Sequence, residues 1–125
     1  MNEKTIAAYC RVASKDETAI QWQIQRINSF AEAHKLENIK HYTDNGAAGT
    51  TQDRKAFKSL LNDMESGLID TVIAVSVSRF ARSSEIAAAF ENHAERNGVK
   101  IVTLDGSYEQ WAASRLQYLA PTLKS

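Results

Sequence analysis

Short apolar segments alternate along the chain with longer segments in which apolar side chains recur every three or four residues. The short segments predict buried strands, because they are apolar and of strand length; they span 5–12, 39–43, 71–77 and 99–104. The helical spacing predicts helices over about 17–35, 53–66 and 83–97, and a last one over about 108–119. Ser14 and Glu17 match a capping box at the first helix, and Ser83 or Ser84 is placed to cap the third.

Strands that alternate with helices predict an α/β fold. Right-handed crossovers would give a mainly parallel sheet of about four strands, with helices on both faces. The 125 residues suit a single domain that spans 1–125, in which 108–125 form a short tail. The hydrophobic share of 43% and the charged share of 24% are ordinary for a globular chain.

Charge and cysteine content narrow the classes of function. Fifteen basic and fifteen acidic side chains cancel, so any contact with nucleic acid must come from a local cluster of charge. The single cysteine, Cys10, allows no internal disulfide, which fits a reducing compartment. There is no apolar stretch of membrane-spanning length and no signal-peptide pattern at the start. We therefore expect a cytoplasmic protein with no membrane contact.

The sequence shows no metal-ligand spacing among its histidines and Cys10 and no P-loop. The three histidines have no metal-ligand spacing among themselves or with Cys10. Gly46 and Gly49 do not form a P-loop, because no Gly-Lys-Ser/Thr follows them. The sequence predicts neither a metal nor a cofactor.

Four arginines follow predicted strands at comparable positions: Arg11, Arg54, Arg79 and Arg82. The carboxyl ends of parallel strands meet at one edge of a sheet, so these side chains are predicted to converge. Guanidinium forks match the oxygens of a phosphodiester. Arg79 and Arg82 also precede a predicted helix, where cations are disfavoured unless an anion is bound. The pattern favours phosphate binding or phosphoryl chemistry at this edge.

The ordered motifs resemble those of the serine recombinases (the resolvase/invertase superfamily). They are Tyr9-Cys-Arg-Val-Ala-Ser14, Gln23, Tyr42-Thr-Asp-Asn-Gly-Ala-Ala-Gly49 with Asp53-Arg54, and Ser78-Arg-Phe-Ala-Arg82. The resemblance covers Thr5 to about Gly106. It implies site-specific recombination of DNA, in which a serine hydroxyl cuts the strand and forms a 5′-phosphoserine link. Strands are then exchanged within a synaptic tetramer and religated without a metal.

The resemblance also assigns roles to residues. It implies that the four arginines hold the scissile phosphate and stabilise its developing charge. Gln23 matches a glutamine of the family motif, and Asp44 and Gly49 match the acidic and glycine positions of its loop. DNA is the implied partner, bound weakly by the isolated domain. A second copy or an active recombinase subunit is the implied protein partner.

Three positions depart from the family pattern. The nucleophilic serine falls on Ala13, a loop serine on Ala48, and the aspartate before an arginine on Ser78. A methyl group cannot attack phosphorus, so we expect no strand cleavage and leave open whether the chain is an enzyme. Natural decay and an engineered change both remain open for Ala13.

Two neighbouring side chains are candidates for a substitute nucleophile. Side chains alternate along a strand, so a slip of one residue is expected to turn Ser14 away from the site, where it would cap the helix. Cys10 lies within an apolar strand and is interpreted as a small buried hydrophobe. Neither is predicted to replace the missing hydroxyl.

The end of the chain leaves several interpretations open. An aromatic-rich stripe that includes Tyr108 and Trp111 either covers the domain's own core or forms a dimer contact. We expect neither the family's long dimerisation helix nor a separate DNA-binding domain before Ser125, so the chain is either a fragment or a shortened relative. The alternatives to a recombinase domain are a regulatory module that pairs with active recombinases and a domain that binds a phosphorylated metabolite.

Overall fold

The computed structural model describes residues 5–47, 54–81 and 83–113. The strands are β1 (Thr5–Val12), β2 (Ile39–Asn45), β3 (Ile69–Ala74) and β4 (Lys100–Thr103), and the helices are α1 (Glu17–Ala33), α2 (Lys55–Glu65), α3 (Val77–Phe80) and α4 (Ser84–Arg96). The strands form one sheet in the order β2-β1-β3-β4, and all three pairings are parallel. Residues 107–113 are helical. The predicted α/β fold with a parallel sheet is confirmed.

Two apolar cores lie on opposite faces of the sheet. Side chains alternate along β1, so Tyr9 enters one core and Cys10 the other. The first core packs aromatic rings from α2, α3 and α4; the rings of Phe80 and Phe90 lie 4.7 Å apart. The second core is covered by α1 through residues such as Ile20 and Ile27. The ends of the strands are therefore held rigidly from both sides.

The predicted capping box at the first helix is wrong. Asp16, and not Ser14, is the N-cap of α1, and its carboxylate accepts a hydrogen bond from the Ala19 amide at 3.1 Å. The amide of Asp16 in turn donates to the Asn45 side chain at 2.8 Å, which fixes where the helix begins. At α4 the prediction is confirmed, because the Ser83 hydroxyl caps that helix.

The third strand is shorter than the apolar run predicts. It ends at Ala74, and Val77–Phe80 form the short helix α3 instead of continuing the strand. A short apolar run does not distinguish a strand from a helical turn, and here the turn places Phe80 in the first core. A smaller difference concerns Ile86, whose helical spacing predicts burial in α4 but which is 38% exposed.

The second strand is longer than predicted. It continues to Asn45, which places Asp44 within the strand and opposite Arg11 of β1. At the far end of the described chain, Tyr108 and Trp111 pack against the first core. That contact agrees with the core-covering interpretation of the tail, whose residues from 114 onward lie outside the described part. No helix in the described ranges is long and apolar enough to cross a membrane.

Candidate active site

Beyond Ala8, the strand β1 extends past its pairing with β3. Arg11 lies in this extension, and its main chain is paired on that side by the amide of Gln23. The Arg11 amide donates to Gln23 Oε1 at 3.2 Å, and Gln23 Nε2 donates to the Arg11 carbonyl at 3.0 Å. Gln23 is only 1% exposed. Its side chain therefore substitutes for a neighbouring strand and fixes the main chain that carries Arg11.

The guanidinium of Arg11 connects the segment after β2 with the helix α3 at the carboxyl edge of the sheet. It donates from Nη1 to the Ala47 carbonyl at 2.8 Å, from Nη2 to the Ser78 carbonyl at 3.0 Å and from Nε to the Arg79 carbonyl at 3.1 Å. The residue is only 6% exposed. Arg11 therefore holds the segment after β2 and the helix α3 against the end of β1.

Arg54 also contacts the helix α3. It occupies the N-cap position of α2 and is 3% exposed. Its Nη2 donates to the Arg79 carbonyl at 3.3 Å, and its Nε donates to the Tyr9 hydroxyl at 3.2 Å. The guanidinium carbon lies 3.7 Å from the centre of the Phe57 ring, which supplies a cation–π contact. Arg54 is thus enclosed by aromatic rings and main chain.

A carboxylate that faces this cluster caps α2. Asp44 accepts the amide of Ala56 at 2.9 Å, the amide of Phe57 at 3.0 Å and the Tyr9 hydroxyl at 2.7 Å. Burial first, and the hydrogen bond to Asp44 second, raise the pKa of the Tyr9 hydroxyl well above its ordinary value. Tyr9 therefore stays neutral and links the carboxylate to Arg54. Sequence reasoning missed this cap, because Asp44 lies too far from α2 along the chain for any local capping signal.

Arg79 is more open than the other two arginines. It lies in α3, is half-buried and donates from Nη1 to the Arg11 carbonyl at 3.1 Å. Its Nε is buried and has no hydrogen-bond partner among the described residues. The charge of Arg79 also acts on the thiol of Cys10. Burial raises the pKa of that thiol to about 12, and the positive charge of Arg79 opposes the rise. A neutral, buried Cys10 agrees with its interpretation as a core residue.

Ala13 and Ser14 follow β1 directly and are both exposed in a bend. The alternation used to turn Ser14 away from the site does not apply there, because the strand has already ended at Val12. Ser14 does not cap α1 either. Ser78 is exposed, and its hydroxyl lies within hydrogen-bond distance of the Ser76 hydroxyl, at 2.7 Å.

The structure thus brings three of the four predicted arginines to one place, together with Gln23. Arg11 Nε and Arg54 Nη2 both donate to the carbonyl of Arg79. The fourth, Arg82, lies outside the described residues, as do Ala48, Gly49 and Asp53. Within the described ranges, no cluster of three or more histidine, cysteine, aspartate or glutamate residues could hold a metal ion.

Comparison with known families identifies the family of the chain. The family model for "Resolvase, N terminal domain" matches residues 6–120, which is most of the chain. The chain belongs to this family. Members of the resolvase family act on DNA, typically as oligomers, and the resemblance carried by the arginine motifs is confirmed.

Solved structures of this family share the fold. The N-terminal catalytic domain of TP901-1 integrase is 25% identical, with a TM-score of 0.78 over 98% of this chain and 100% of that one. A resolvase family site-specific recombinase from Streptococcus pneumoniae is 20% identical, with a TM-score of 0.74 over 98% and 89%. The C-terminal catalytic domain of ISC1926 TnpA, an IS607-like serine recombinase, is 21% identical, with a TM-score of 0.73 over 94% and 82%. No curated protein sequence matches the chain. The domain therefore has the fold of resolvase-family catalytic domains.

Proposed function

We propose that this resolvase-family domain keeps the arginine framework of a recombinase but does not cut DNA. The observation that carries the proposal is the position of Ala13. It is exposed directly after β1, at the end of the strand that carries Arg11 into the arginine cluster. A methyl group has neither the lone pair nor the proton that attack on phosphorus requires. Arginines without a nucleophile can bind a phosphate but cannot form a covalent link to it.

The arginines divide into two groups in this proposal. Arg11 and Arg54 are almost fully buried and donate to protein oxygens, so they maintain the shape of the site. Arg79 is half-buried, and we assign the phosphate contact to it together with Arg82. Because the formal net charge of the chain is zero, this contact is weak when the domain is alone.

A domain that binds without cutting suits a supporting role in a recombination complex. We propose that it acts in the cytoplasm and pairs with a second copy or with an active recombinase subunit. The support is membership of a family that acts on DNA as oligomers, combined with the missing hydroxyl at position 13. In such a complex the active partner supplies the nucleophile, and this chain supplies a subunit of the same fold that pairs with it.

The experiment that tests the proposal compares the native chain with Ala13→Ser on a pool of supercoiled plasmids with random inserts. Covalent protein–DNA adducts are collected after denaturation in detergent. The native chain is expected to give no adduct. An adduct from the native chain would overturn the proposal, and peptide mapping would then show whether Ser14 or Cys10 carries the phosphate.

Two variants complete the design. Adduct formation by Ala13→Ser alone shows that the missing hydroxyl accounts for the lost chemistry. If Ala13→Ser gives none, the site has lost more than one group, which also agrees with a non-cleaving domain. Ala13→Ser combined with Ser14→Ala is the matched control. Its adduct must persist if the restored hydroxyl at position 13 is the one that reacts.

A further inference from the structure

The helix that carries Arg79 is capped by a residue from a distant part of the chain. The amide of Val77, the first residue of α3, donates to the Ser107 hydroxyl at 2.8 Å. The N-cap residue Ser76 makes no side-chain capping bond of its own, since its hydroxyl is bonded to that of Ser78. The start of α3 therefore depends on Ser107, which precedes the rest of the helical segment 107–113.

The position of α3 decides where the arginine cluster forms. The carbonyls of Ser78 and Arg79, both in α3, accept the bonds from Arg11, and the carbonyl of Arg79 also accepts the bond from Arg54. A four-residue helix has a single turn and is not stable alone. Any shift of its first residue is therefore passed on to these acceptors and to the Arg79 side chain.

A hydrogen-bonded turn holds Ser107 in place. The Ser107 amide donates to the Asp105 carboxylate at 2.9 Å, across Gly106 with a φ of 74°. The buried Thr103 hydroxyl donates to Glu109 at 2.8 Å and accepts the Tyr108 amide at 3.0 Å. These bonds make the orientation of Ser107 a property of the turn between β4 and the 107–113 segment.

The same segment is tied to α4. The hydroxyl of Tyr108 donates to the buried carboxylate of Glu91 at 2.7 Å. Trp111 packs against the first core and, with Val77 and Ser78, lines a cleft between α3 and α4. The 107–113 segment, which begins with Ser107, is therefore held by β4 on one side and by α4 on the other.

We propose that Ser107 is a positioning residue for the arginine cluster. By capping α3, its hydroxyl couples the placement of the 107–113 segment to the placement of Arg79. The route consists of contiguous contacts from Ser107 to Val77, then through α3 to Arg79 and Arg11. It does not depend on whether the domain cleaves or binds DNA.

The test uses nuclear magnetic resonance on the whole chain. In Ser107→Ala, we expect the amides of Val77 and Arg79 to exchange with solvent about tenfold faster, in line with the loss of one helix cap. The Nε–Hε resonance of Arg79 is expected to move, because its helix is no longer fixed. Ser107→Thr keeps a hydroxyl and is expected to restore both signals. The matched control is Ser66→Ala, which removes an exposed serine hydroxyl bonded to the Asn62 carbonyl of α2.

Two results would overturn the proposal. One is a folded Ser107→Ala protein with unchanged Arg79 Nε–Hε and Val77 signals. The other is an equal rise of exchange across α3 and the amides of β2, which would mean that Ser107 contributes only to global stability. Since β2 lies on the far side of β1 from β3, its amides serve as the internal reference.

Discussion

Arg11 and Arg54 donate to the same oxygen, the main-chain carbonyl of Arg79, at 3.1 and 3.3 Å. Two cations that share one neutral acceptor repel each other, so the arrangement needs nearby compensation. The ring of Phe57 faces Arg54, and Tyr9 links Arg54 to the Asp44 carboxylate. One loop carbonyl and two carbonyls of α3 surround Arg11. An anion at this edge would relieve the remaining repulsion.

The first prediction concerns DNA contact. Arg79→Gln is expected to weaken binding to a labelled random-sequence duplex at low salt by several-fold, because the phosphate contact that we propose for Arg79 would be lost. Fluorescence anisotropy measures the affinity. The matched control is Arg26→Gln, which removes the same charge from the exposed face of α1 beside Trp22. Equal losses in both variants would mean that only overall charge matters.

The second prediction concerns Asp44. Asp44→Asn replaces a carboxylate that accepts two amides and a tyrosine hydroxyl with a group that has one acceptor oxygen. We expect the free energy of unfolding to fall by about 1–3 kcal/mol. Urea denaturation measures it, with Glu32→Gln on the exposed face of α1 as the control. Equal stability of Asp44→Asn and the native chain would contradict the capping role.

The third prediction concerns Gln23. Gln23→Ala leaves the buried amide and carbonyl of Arg11 without this partner, so we expect a loss of about 1–3 kcal/mol in unfolding free energy. Gln25→Ala, an exposed glutamine on the same helix, should change stability by less than about 0.5 kcal/mol. Indistinguishable denaturation midpoints for the two variants would argue against the strand-substituting role of Gln23.

The fourth prediction concerns alkaline pH. Burial raises the pKa of the Cys10 thiol from 9.0 to about 12, so the unfolded chain releases this proton first as the pH rises. The stabilisation is complete below pH 9 and is lost between about 9 and 12, at about 1.4 kcal/mol per pH unit. Unfolding free energies measured across this range should fall less steeply in Cys10→Ala. Parallel pH curves would contradict the prediction.

The sequence predicted the sheet and the meeting of three of the four arginines, because both depend on periodic apolar segments and on the residues directly after each strand. It did not predict that Arg11 would bind main-chain carbonyls, since carbonyls occur at every residue and leave no pattern. The cap that Asp44 gives α2 and the cap that Ser107 gives α3 were missed for a related reason. Both act across long stretches of chain, whereas capping signals are local.

The apolar run that ends at Val77 shows a second kind of limit. Its composition suits a strand and a helical turn equally, and the packing of Phe80 decided between them. Ser14 shows a third kind of limit. A serine near the start of a helix caps it only if the first helical residue follows that serine directly, and α1 begins after Asp16 instead. The hydrogen bond that the Asp16 amide donates to the side chain of Asn45 sets that beginning, and Asn45 belongs to the strand β2.

The exposure of Ala13 has a consequence for how such a domain persists. A side chain that touches little contributes little to the free energy of folding, so alanine and serine at this position give proteins of nearly equal stability. Under the proposed function, selection for a well-folded chain therefore does not act on the hydroxyl oxygen that strand cleavage would require. On this proposal, alanine and serine at position 13 give the same architecture, and only a cleavage assay distinguishes the two proteins.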